Sequence, residues 1–194
     1  MSEKIARFIT KVTNPITTGL FSSFLIIQKT NLTAQNKFLW FLVILILGFL
    51  PAFLYLYWQI NRGKIIDWYL NTRADRYVLL LLSTFSSLAV FLAAFIFNTD
   101  KLIVSFTLTG FILNAAIYAI TFFWKISVHT AAAAILALVL IFIYSSFFIL
   151  TFFLVFLVGW ARITLRRHTV AEAIGGVLLS TIVFLLIFKV FRLI

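Results

Sequence analysis

Long apolar runs recur through this chain, several of them near or above the ~18–20 residues that carry a helix across a bilayer. A membrane β-barrel would show short alternating segments separated by turn residues, whereas these blocks are continuous. A helix satisfies its backbone hydrogen bonds within each block, which a solvent without donors demands. With 64% hydrophobic residues, 24 Phe and only two Pro, the chain is no soluble globular domain. Its mean hydropathy of +1.16 agrees. The expected class is an all-α integral membrane protein.

The breaks between runs divide the chain. Residues 1–36 mix Lys4, Arg7 and Lys11 with Ile5, Phe8, Ile9 and Val12, a basic amphipathic pattern suited to a helix lying on the membrane surface. Asn14-Pro15 interrupts that segment, and its best apolar stretch, 19–27, is too short for a signal peptide. Residues 37–194 are expected to form the membrane domain. Spans are predicted at 38–60, with Pro51 as a kink, then at 77–97, 102–124 and 169–190. The stretch 131–160 can be one tilted helix or two short ones hinged at Tyr144-Ser145-Ser146. Two short spans bring the polar clusters at 125–130 and 162–168 to one face, and short crossings can be accommodated by bilayer thinning and snorkelling. The expectation is a six-transmembrane helix bundle with an N-terminal amphipathic interfacial segment.

The net charge of +11 does not imply nucleic acid, because the cations fall in the breaks between spans, where lipid headgroups or phosphate esters meet them. Lys and Arg divide equally between the two sides, so the loop-charge rule alone sets no orientation. If several cations of loops 61–76, 125–130 and 162–168 serve chemistry instead, both termini are cytoplasmic and those loops extracytoplasmic, at the cell membrane.

Two polar clusters point to phosphate. His129 lies in Trp124-Lys125-Ile126-Ser127-Val128-His129-Thr130, and His168 ends Arg162-Ile163-Thr164-Leu165-Arg166-Arg167-His168. Arginine offers a rigid fork for phosphate oxygens and lysine a point charge. Arg73, Arg76, Lys125 and Arg162 can stabilise the charge of a transferring phosphoryl group, while His168 and His129 can supply a nucleophile and a proton. Glu172 stands four residues after His168, on the same helix face, where its carboxylate can fix the imidazole tautomer. Ser127 to Thr130 leads into four alanines, a helix start whose amides suit an anion. Arg166 and Arg167 read first as headgroup anchors, and Gly175-Gly176 as a place of close helix approach. Without cysteine there is no thiolate chemistry. Five acidic residues and two separated histidines suggest no metal cluster, and no serine-hydrolase elbow is present.

These residues carry a resemblance to the type-2 phosphatidic acid phosphatase family of integral membrane lipid phosphatases. Its third motif, Ser-Arg-x5-His-x3-Asp, is matched by Ala161-Arg162, His168 and Glu172 at the same spacing. Its second, Pro-Ser-Gly-His, is matched by Ile126-Ser127-Val128-His129 with Ser and His kept. For its first, Lys-x6-Arg-Pro, Arg73 and Arg76 stand in the corresponding loop, with Tyr69 where the lysine would precede Arg76. The resemblance covers about residues 61–180. It implies His168 as nucleophile forming a phosphohistidine, His129 as general acid, Arg162 and Ser127 as phosphate ligands and Glu172 as the residue orienting His168. It also implies that no metal or other cofactor takes part.

The expected activity is hydrolysis of a lipid phosphate of the isoprenoid (pyro)phosphate, phosphatidic acid or phosphatidylglycerol phosphate type. The alternatives are a non-catalytic relative holding anionic headgroups in the same pocket, and a structural or transport membrane protein.

Overall fold

The computed structural model describes residues 1–63, 74–144 and 151–194. Lys64 and Arg73 of the first polar loop lie outside them, as do Ser145 and Ser146 of the expected hinge. Every element among the described residues is helical: α1 (Ser2–Val12), α2 (Pro15–Gln28), α3 (Ala34–Val43), α4 (Leu50–Asn61), α5 (Ala74–Ile96), α6 (Lys101–Thr121), α7 (Val128–Val139), α8 (Thr151–Thr164) and α9 (Val170–Val190). Among the described residues four stretches are long and apolar enough to cross a membrane: Ala34–Asn61, Arg76–Ile96, Lys101–Thr121 and Val170–Val190. The three of 21 residues are about 31 Å long at 1.5 Å per residue, the thickness of the hydrocarbon core. Pro15–Gln28, Val128–Tyr144 and Thr151–Thr164 are shorter apolar helices.

The chain forms two compact units, residues 30–123 and residues 1–29 with 124–194. In the first, a π-helical stretch, Ile44–Phe49, joins α3 to α4 just ahead of Pro51. Proline donates no hydrogen bond, and the wider turn upstream absorbs the defect where a kink is expected. Helices α5 and α6 form an antiparallel hairpin. Asn98 closes it at φ 47°, and the Asp100 side chain accepts from Leu102 N at 2.8 Å to start α6. Tyr77 stacks on Phe122 at 5.0 Å between ring centres, and Phe91 on Phe111 at 6.4 Å. Ser105, Thr107, Thr109 and Thr121 are buried, and each hydroxyl donates to the carbonyl four residues back. That bond is how an apolar helix carries small polar side chains without unmet donors.

The other unit is built round α7, whose Ala131, Ala133, Ala134 and Ala137 are all buried. Ala133, Ala134 and Ala137 pack with Val155 and Val158 of α8. Thr130 lies against Gly159, and the Lys125 ammonium reaches the Arg167 carbonyl just beyond the end of α8. Helices α7 and α8 are therefore antiparallel. Along α9 the order is parallel: Ser127 N donates to Glu172 O at 3.0 Å, and Phe142 meets Phe184 at 6.2 Å. Side chains this small let helix backbones approach closely, which is how apolar helices associate when lipid is as greasy as protein.

Residues 1–29 belong to this same unit, a different division from the 1–36 and 37–194 partition read off composition. Helix α1 packs on α8 and α2 on α7, with Ala6, Thr10, Thr13, Ser22, Ser23, Ile26 and Ile27 buried. Asn14 caps α2 by accepting from Ile16 N and Thr17 N at 3.0 Å, so the Asn-Pro break is a second helix start. Tyr144 donates to Leu25 O at 2.9 Å, and its ring carries Lys29 at 4.7 Å.

Candidate active site

The last turn of α8, the short connection to α9 and the starts of α7 and α9 meet at one end of this unit. Helix α8 stops without a glycine. Arg166 takes the left-handed conformation at φ 52°, its N–H donating to Ile163 O at 2.8 Å, and Arg167 N donates to Arg162 O at 3.0 Å. This pair of bonds is the Schellman ending, usually built on glycine. Two residues later Thr169 opens α9 with a capping box. Its hydroxyl accepts from Glu172 N at 3.2 Å while Glu172 Oε2 accepts from Thr169 N at 3.0 Å.

That box fixes the carboxylate, and the carboxylate fixes a histidine. Glu172 Oε2 lies 3.1 Å from His168 Nδ1, with the His168 side chain buried and Glu172 partly so. An acceptor at Nδ1 holds the neutral ring's proton there and puts its lone pair on Nε2. The negative group also sits in the first turn of α9, where the helix dipole favours it.

The start of α7 locks against the same turn. Besides the Ser127–Glu172 backbone bond, Thr130 Oγ1 donates to Ala173 O at 2.9 Å. Gly176 makes this fit possible, since a Cβ there would strike the Ser127 carbonyl and Thr130 Oγ1, and Gly175 does the same for the Trp124 ring. His129 is half-buried in the first turn of α7, two residues beyond the Ser127–Glu172 bond. Arg162 is 2% exposed, the bulkiest fully buried side chain among the described residues. Burying an arginine so deep in an apolar unit is costly.

Of the eight residues expected in the site, Lys125, Ser127, His129, Arg162, His168 and Glu172 belong to this unit, at or beside the starts of α7 and α9 and the last turn of α8. Arg76 is buried in the other unit, and Arg73 is outside the described residues. Ser127 is fully buried and has a structural duty besides the expected one: its side chain accepts from Thr130 N at 3.4 Å as the N-cap of α7. Ser127→Ala is expected to lower stability by about 1 kcal/mol, read as an earlier thermal unfolding transition in micelles.

A concavity of about 340 Å³ opens at the α8–α9 corner, lined by Ile163, Arg166, Arg167, His168, Thr169 and Glu172. Arg166 and Arg167, read from sequence as headgroup anchors, thus share a wall with the histidine. Thr169 is the residue that sequence reasoning passed over. Its signal was there, a Thr three residues before a Glu at the head of an apolar run. Among the described residues no group of three or more His, Cys, Asp or Glu could hold a metal ion. Comparison with protein-family models, curated proteins and solved structures finds no match to this chain.

Proposed function

We propose that this protein is an integral membrane phosphatase that hydrolyses a lipid phosphate through a phosphohistidine on His168. The observation that carries the reading is the 3.1 Å contact between His168 Nδ1 and a Glu172 carboxylate held by its own capping box. With the proton kept on Nδ1, Nε2 attacks phosphorus, forming a P–N bond as the bond to the lipid oxygen breaks. His129 gives its proton to that oxygen, and Arg162 balances the charge on the phosphoryl oxygens. Water then cleaves the P–N bond, His129 taking its proton, and inorganic phosphate leaves. The resemblance to type-2 phosphatidic acid phosphatases supports the same assignment. Isoprenoid (pyro)phosphate, phosphatidic acid and phosphatidylglycerol phosphate are the substrates proposed.

In this reading Val128–Tyr144 and Thr151–Thr164 are the fourth and fifth of six spans, added to the four long apolar helices. Both termini are cytoplasmic, and the site faces the extracytoplasmic side of the cell membrane.

The test is phosphate release from each lipid phosphate by purified protein in mixed micelles, with labelled phosphate trapped on the protein. Release from at least one substrate, with a bound label stable to alkali and lost in acid, is expected. No release and no label from any of them sinks the proposal. The concavity lined by Arg166 and Arg167 favours one other reading, headgroup binding without turnover. Retention of a lipid phosphate with no release would establish it.

A further inference from the structure

Helix α1 has three faces. A helix turns about 100° per residue, so Lys4, Arg7 and Lys11 form one row, Ile5, Phe8 and Val12 a second, and Ala6, Thr10 and Thr13 a third. The small third row is buried where α1 packs on α8. The apolar row is not its packing face: Ile5 is 47% exposed, Phe8 68% and Val12 55%. The basic row is exposed as well, its flank about 100° from the apolar one. Glu3, the one acid on the helix, pairs with Arg7 at 3.8 Å, so three cations face one carboxylate.

The sequence pattern suits a basic amphipathic helix lying on the membrane surface. The structure leaves both of those rows exposed and buries a third, of small side chains.

We infer that α1 docks on an anionic phospholipid surface. Ile5, Phe8 and Val12 enter the boundary between headgroups and acyl chains, and Lys4, Arg7 and Lys11 lie along it among the lipid phosphates. Another protein is the poorer occupant, because the core of a protein interface is depleted in lysine and this apolar row is flanked by cations throughout. The inference is independent of the chemistry proposed for His168.

The chain has no cysteine, so a single label is unambiguous. Phe8→Cys in the full chain carries an environment-sensitive fluorophore, and the protein is placed in nanodiscs of phosphatidylcholine alone or with phosphatidylglycerol. Acrylamide, a neutral quencher, reports exposure. Quenching is expected to fall by roughly twofold or more in the anionic discs and to recover as salt screens the attraction. In the Lys4→Gln, Arg7→Gln, Lys11→Gln background, which leaves the buried row intact, both discs give the same quenching. Equal quenching of the parent in both discs overturns the inference.

Discussion

Replacing His168 with alanine is expected to lower phosphate release by at least about 10³-fold, or roughly 4 kcal/mol of transition-state stabilisation. On the proposed mechanism the loss falls on kcat and leaves KM nearly unchanged, because the side chain removed is the one proposed to form the covalent bond, while Arg162, Arg166 and Arg167 stay in place. The fold should survive the change. Glu172 Oε2 keeps its bond from Thr169 N, and the Schellman ending that sets Arg166 and Arg167 is made by backbone alone. Glu172→Gln tests the positioning role separately. Its amide can still meet Thr169 N, yet it no longer offers a carboxylate to Nδ1, so the drop should be smaller and should again spare KM. The trapped label should vanish in His168→Ala and persist at reduced rate in Glu172→Gln. A His168→Ala protein as active as wild type removes the proposed nucleophile.

The long apolar helices were legible because hydropathy in a membrane chain is set by lipid. The expected 38–60, 77–97, 102–124 and 169–190 lie within three or four residues of Ala34–Asn61, Arg76–Ile96, Lys101–Thr121 and Val170–Val190. The His168–Glu172 contact was legible from the four-residue spacing, but its geometry was not: His168 stands just ahead of the Thr169 cap, off the helix face expected, and Glu172 in the first turn of α9 reaches back to it. Packing by small residues was not. Ala6, Thr10 and Thr13 give little apolar signal, and of the apolar residues read in α1 only Ile9 turns toward the α7–α8 core. Ser127 shows a different limit, since a serine before a helix is equally a cap and a ligand until its partners are known. Arg166 shows another. A left-handed helix ending ordinarily writes itself as glycine, and here only the surrounding charges marked the break.

Gly175-Gly176 was also read from sequence as a close approach, and the structure separates the two. Gly176→Ala is expected to cost about 3 kcal/mol or more, the upper part of the range for overpacked sites. Its Cβ would meet the Ser127 carbonyl and stand 2.6 Å from Thr130 Oγ1. The carbonyl belongs to backbone that cannot rotate away, because Ser127 O also accepts from Ala131 N at 3.1 Å inside α7. Relief therefore requires α7 to move off α9. That movement breaks the Ser127 N–Glu172 O and Thr130 Oγ1–Ala173 O bonds, each costing about 1–3 kcal/mol if a buried partner is left unmet. Gly175→Ala meets the far edge of the Trp124 ring at 2.6 Å and the buried Ile126 Cγ2 at 3.1 Å. Trp124 is 41% exposed and can swing aside, and Ile126 has only a few tenths of an ångström to give, so the cost there should stay at about 1 kcal/mol. The measurement is the unfolding midpoint of both variants in the same micelles, with phosphate release followed in parallel. Gly176→Ala should unfold well before Gly175→Ala and lose most of its turnover, because the start of α7 carries His129 and the start of α9 carries Glu172. Coincident midpoints would mean that the two helices are not locked at Ser127, and the shared site would lose its physical basis.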